Sequence, residues 1–241
     1  MATSRYYADS RAPRYTILFA LPLLLGYEAL ALFMADAPSG GVRNGADVIL
    51  KSFFLTLAGS RGLLLFEGVL LITGAWLVAR DWKQHPGPLR PTVFAGMLAE
   101  SAVLGLADGL VVGRLTTMLL PQLAIMQGVG ALDTPTQLMI SLGAGIYEEL
   151  LFRVILVGSL AWCFTRGIGW SPRAAGIAAA LLGAFIFSAF HYVGAYGDPL
   201  RLDSFLFRFI AGLVFSALYL TRGFGITAWT HALYDVYVTL G

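Results

Sequence analysis

Ile146-Tyr147-Glu148-Glu149-Leu150-Leu151-Phe152-Arg153 lies about halfway along the apolar run Gln137–Phe164. A membrane-crossing helix needs roughly 20 mainly apolar residues, and this run exceeds that. A charged side chain at mid-membrane costs about 2.5–3.5 kcal/mol on insertion scales, so adjacent glutamates here need a physical reason. Glu149 and Arg153 are spaced i to i+4 with the acid N-terminal to the base, so they can neutralise each other as a structural pair. On an α-helix Glu148 points about 100° away from Glu149 and has no partner within the run. One carboxylate is therefore left over for other work.

The rest of the chain supports a membrane reading of that run. Of 241 residues, 58% are hydrophobic and 12% charged, with a mean hydropathy of +0.75. Soluble domains carry about 25% charged residues, and half that leaves too little polar surface to cover a water-soluble globule. Six further apolar runs can be counted: Tyr15–Ala35, Gly62–Ala79, Thr92–Arg114, Arg173–Val193, Ser204–Leu220 and Gly223–Leu240. Val42–Leu57 mixes apolar residues with Asp47 and Lys51 and reads as an interfacial or half-inserted helix. Leu115–Gly128 is interrupted by Pro121 and reads as a re-entrant or eighth span. The expected fold is thus an all-α polytopic bundle of about 7–8 membrane helices around a polar cavity, one integral membrane domain over 1–241. The 28 glycines are read mostly as contacts that let helices approach closely.

Charge sets the expected orientation. Arg5, Arg11 and Arg14, then Arg80, Lys83 and Arg90, then Arg166 and Arg173, then Arg222 fall on one side of seven spans. The positive-inside rule makes that side, and the N-terminus, cytoplasmic. Arg43, Lys51 and Arg61 depart from the pattern. The first apolar run is longer than the 7–15 residues of a signal-peptide core, and Pro38 follows the small-x-small site Ala35-Asp36-Ala37, so a retained first helix is expected. The net charge of +2, without a Lys/Arg block, gives no footprint for nucleic acid. Cys163 is the single cysteine, so no internal disulfide forms, and it reads as an inert packing residue.

Only three histidines occur. His85 sits in a charged loop, while His191 and His231 lie in apolar runs, and Asp235 shares a helical face with His231 at i+4. Each buried histidine alone would be a satisfied packing residue; their occurrence together, with Glu148 unpaired, gives them weight. A carboxylate beside a neutral imidazole can hold and deprotonate a water, and a second imidazole can donate to a developing oxyanion. Glu148 is assigned as base, His191 as its partner on the water, and His231 as oxyanion donor. Glu148 lies about 11 residues from the far end of its run, roughly 17 Å, so a cavity at mid-depth to the outer half is expected. No cofactor is expected; the alternative is zinc at Glu148, His191 and His231, a set zinc accepts, although no H-E-x-x-H motif is present. Glu28, Glu67, Glu100 and Asp108 are further acids in apolar runs without an assigned role. Phe187 and Phe190 read as helix packing.

Glu148-Glu149-x-x-x-Arg153, Phe187-x-x-x-His191 and His231-x-x-x-Asp235, in that order on separate apolar runs, resemble the three motifs of the CAAX-protease and bacteriocin-processing (CPBP or Abi) family. The motifs cover the second half, a family-like core over 137–241. The resemblance implies a bundle of about eight membrane helices and peptide-bond hydrolysis by Glu148 and His191, with His231 and Asp235 forming the oxyanion site. Asp235 stands where the CAAX endopeptidases have asparagine, so it would be protonated there or would orient and charge His231. The implied partners are the bilayer and a membrane-associated protein or peptide substrate, in the plasma membrane of a bacterium or archaeon. Two rival readings remain: a non-catalytic membrane scaffold or immunity protein of the same fold, and a transporter relaying protons through intramembrane acids. The transporter reading favours an inverted repeat, and none is evident.

Overall fold

Helix starts follow simple local chemistry. Proline lacks the N–H that a first-turn residue has no use for, and Pro13, Pro91 and Pro172 each open a helix. Side-chain caps from Asn44 and Ser171 open two helices, each accepting from a first-turn N–H. The computed structural model describes residues 2–35, 41–119, 133–194 and 197–240. In chain order its helices are α1 (Ala2–Arg11), α2 (Pro13–Phe33), α3 (Gly45–Ala58), α4 (Gly62–Gln84), α5 (Pro91–Leu119) and α6 (Thr134–Gly143). α6 runs on into a π-helix (Ala144–Val157), α7 (Gly158–Trp162) and a π-wound end (Cys163–Gly167), making one central rod over 134–167. α8 (Pro172–Phe190), α9 (Leu202–Arg222) and α10 (Phe224–Leu240) complete the bundle. No strand occurs among the described residues.

The all-α polytopic expectation is borne out. Five helical stretches are long and apolar enough to cross a membrane: Pro13–Phe33, Gly45–Gln84, Pro91–Leu119, Pro172–Phe190 and Leu202–Arg222. Their outward faces carry bare apolar side chains, such as Leu64 at 72% exposure, Ile72 at 71% and Val103 at 65%. Apolar surface of this extent marks a face that meets lipid or another protein. The ambiguous Val42–Leu57 region is α3, which turns back on α4 through the 3₁₀ turn Gly59–Arg61. The first part of Leu115–Gly128 simply extends α5 to Leu119. Its remainder, and Asp36-Ala37-Pro38, lie outside the described residues. The arginine-bearing tail is itself helical as α1.

The central rod packs on α2, α3, α8 and α10. Glycine makes the closest approach attainable. A Cβ at Gly145 would fall 2.5 Å from the Ala228 carbonyl oxygen and 2.6 Å from the Ala232 Cβ on α10. The main core gathers Leu23, Tyr27, Leu50, Phe66, Met139, Ile146, Tyr147, Phe152 and Phe187 from α2, α3, α4, α8 and the rod. A second cluster, Val112, Ile210, Ala211 and Phe215, joins α5 to α9.

Charged ties collect at one end of the bundle. Arg90 pairs with Asp9, and Arg14 lies 3.4 Å from Asp81. Arg222 grips both Glu100 oxygens, at 2.6 and 2.7 Å, and Tyr6 donates to the same carboxylate at 2.6 Å. Burial, then the Glu100 carboxylate, pushes the Tyr6 phenol well above its ordinary range. Glu100 thus belongs to a tie between α1, α5 and α9. The N-terminal helix, the α4–α5 loop and the α9–α10 link, all expected on one side, do meet there.

Candidate active site

The site is built on a helix of unusual winding. Over Ala144–Val157 the backbone bonds i to i+5, an arrangement that is rare and concentrated at functional sites. Each residue then turns through less than the 100° of an α-helix, which corrects the α-helical geometry expected from the sequence. Adjacent carboxylates can both stay inside: Glu148 is 8% exposed and Glu149 0%.

Glu149 does more than pair within its own helix. One oxygen lies 3.2 Å from Arg153 Nε, and the other lies 2.6 Å from His231 Nδ1 on α10. The Arg153 guanidinium rests 4.3 Å over the Phe187 ring and makes no hydrogen bond among the described residues. His231 in turn stacks on Phe215 of α9, 4.3 Å between centroids and 17° between planes. The Glu149–Arg153 pair read from the sequence is present, with His231 as an unforeseen third member.

Asp235 approaches the other nitrogen of His231, Oδ2 to Nε2 3.7 Å, too far for a hydrogen bond but close enough for charge. The ring therefore stands between two carboxylates. With Nδ1 donating to Glu149, His231 can donate from Nε2 only when both nitrogens carry protons.

His191 caps the C-terminal end of α8. Its Nδ1 lies 2.9 Å from the Phe187 carbonyl oxygen. A carbonyl only accepts, so Nδ1 carries a proton, and in the neutral ring the lone pair is then at Nε2. Phe187 sets both imidazoles: its ring is 4.9 Å from His191 and 6.4 Å from His231, each edge to face. Glu148 interacts electrostatically with His191, His231 and Arg153. The central rod carries Glu148, the end of α8 carries His191 and α10 carries His231 and Asp235, close enough for their charges to act on one another.

Three features went unread in the sequence. Asn44 Nδ2, ahead of α3, donates to Glu148 Oε1 at 2.8 Å. In sequence it lay unremarked within the ambiguous stretch Val42–Leu57. Asp108 on α5 is 3% exposed, and neither of its oxygens has a hydrogen-bond partner among the described residues. It faces the charges of His231, Glu149 and Arg153. Glu28 joins a network with Arg43 at 3.0 Å, Lys51 at 2.8 Å and Tyr147 at 2.5 Å. Asp47 belongs to the same network through Lys51, at 2.7 Å.

Among the described residues, no three of His, Cys, Asp and Glu are arranged to hold a metal ion, so the zinc alternative at Glu148, His191 and His231 gains no geometric support.

Residues 131–237 match the family model described as type II CAAX prenyl endopeptidase Rce1-like. The resemblance carried by the three motifs is borne out by that match, which spans all of them. The chain is an integral membrane protein whose residues 131–237 are similar to this CAAX-type protease family. No curated protein and no solved structure matches the chain significantly.

Proposed function

We propose that the chain is an intramembrane endopeptidase that hydrolyses a peptide bond of a membrane-associated protein or peptide, with Glu148 as general base. The observation that carries this reading is a Glu148 carboxylate that is buried, free of a cationic partner at ion-pair distance among the described residues, and within electrostatic reach of His191 and His231.

A water held between Glu148 and His191 Nε2 loses a proton to the carboxylate as its oxygen attacks the scissile carbonyl. The C=O π pair moves onto oxygen, and His231 donates a hydrogen bond to that oxyanion. Glu149 and Asp235 keep His231 oriented and charged for this. Asp235 thus acts through the ring and does not touch the oxyanion itself. Glu148 then gives its proton to the departing nitrogen, the C–N bond breaks, and a carboxylic acid and an amine leave, the acid ionising on release. No covalent enzyme intermediate forms. Arg153 neutralises Glu149 and acts structurally. The three motifs of this reading lie in the family-like core 137–241.

The test is processing of membrane-anchored candidate substrates in cells carrying Glu148→Ala or His191→Ala. Each variant is checked for normal abundance in the membrane. Removal of a general base costs about 10²–10⁴-fold, so processing should disappear at normal abundance. Unchanged processing in both variants would move the weight to a membrane scaffold.

A further inference from the structure

The region 131–237 that carries the family's motifs does not contain the residue that holds the proposed base. Asn44 belongs to the N-terminal half, and its amide reaches across 104 positions of sequence to Glu148 Oε1 at 2.8 Å. We infer that Asn44 is a positioning residue for the Glu148 base, resting on the proposed hydrolytic function, and that the catalytic site is incomplete without the N-terminal half.

The amide has no freedom to do otherwise. Its Oδ1 accepts from the Ala46 N–H at 2.9 Å as the cap of α3, which forces Nδ2 toward Glu148. Its backbone N–H donates to the Tyr27 hydroxyl at 3.1 Å, and that hydroxyl donates to Asp47 at 2.8 Å. Asn44 is 3% exposed, Tyr27 0% and Asp47 1%, so the whole bracket is packed. Gly143, where the central rod changes winding, lets the bracket sit this close. A Cβ there would fall 2.6 Å from the Tyr27 ring and 2.8 Å from the Asn44 Cβ.

The bracket has two consequences for the base. One carboxylate oxygen is occupied, so the other is the one left to take the proton from water, and the carboxylate plane is fixed. The second consequence is electrostatic. The first-turn N–H groups of a helix act as about half a positive charge. Here they polarise the Asn44 amide, which passes a hydrogen-bond donor on to Glu148, and hydrogen bonds in series strengthen one another. A neutral amide thereby supports a buried anion without adding a second charge.

Asn44→Asp tests this. It is isosteric and keeps the cap to Ala46, but it replaces the donor facing Glu148 with an oxygen. In reconstituted full-length protein, kcat on a cleaved membrane-anchored peptide should fall by about 100-fold, the cost of a misplaced catalytic group. KM should stay within about twofold, since no substrate contact is lost. An infrared difference spectrum against the matching Glu148→Gln protein isolates the Glu148 carboxylate bands, and these should shift in Asn44→Asp. That readout needs no substrate. If the wild type cleaves nothing offered and the bands still shift, the bracket stands and the proposed function fails. Unshifted bands overturn the inference whatever the rate, as does a kcat within about twofold of the wild type in a protein that does cleave.

Discussion

Glu149 is the residue whose removal should cost most in stability. It is 0% exposed and joins Arg153 and His231 at 3.2 and 2.6 Å. Breaking a buried pair from one side leaves an uncompensated charge and costs about 3–5 kcal/mol. Glu149→Gln should therefore lower the thermal midpoint sharply in detergent, and Glu149→Leu with Arg153→Met should regain most of it. An equal loss in the double variant would contradict the pair's role. Asp108 presents the opposite case, because both its oxygens lack hydrogen-bond partners among the described residues. Neutralising an unsatisfied buried charge relieves its desolvation, so Asp108→Asn should leave the midpoint unchanged or raise it; a clear fall would show that Asp108 supports the cationic Arg153–His231 side of the site. The candidate residues themselves were legible because lone acids and histidines stand out in apolar runs. Asn44 was not, since a neutral asparagine within the mixed stretch Val42–Leu57 does not stand out there. Nor was the second bond of Glu149, since helical spacing reveals only partners on the same helix.

At the scale of the element, the packing of the central rod on α10 sets the distance from Glu149 to His231. Gly145 sits at that crossing, 2.5 Å from the Ala228 carbonyl once a Cβ is added. Gly145→Ala should cost about 1–3 kcal/mol through forced separation of the helices and should reduce hydrolysis with it. Gly68 on α4 is the control, because a Cβ there meets nothing within 4 Å. Gly68→Ala should leave both stability and activity as they were, and both variants are read by thermal unfolding and by cleavage rate. The helices were legible from hydropathy to within a few residues. The π winding of Ala144–Val157 was not, because an apolar run surrounded by other helices carries no periodicity to separate i+4 from i+5 bonding. α3 read as ambiguous for a related reason. Its Asp47 and Lys51 look solvated in sequence, yet they are satisfied by Tyr27, Arg43 and Glu28 inside the protein.

For the whole molecule, the ties among α1, the α4–α5 loop and the α9–α10 link mark one end, and the Glu28–Arg43–Asp47–Lys51 network stands beside Tyr147 and Asn44 at the site. The positive-inside rule predicts the arginine-bearing end on the cytoplasmic side and the C-terminus on the opposite side. An alkaline phosphatase fused after Gly241 should be active, and an inactive fusion at normal abundance would reverse the orientation. The most direct measurement of the central claim uses purified full-length protein in vesicles, a membrane-anchored peptide and heavy-oxygen water. Wild type should yield a new carboxyl carrying one heavy oxygen, and Glu148→Gln, folded and reconstituted to the same level, should yield none. Cleavage by Glu148→Gln at the wild-type rate would contradict the assignment of Glu148 as the base.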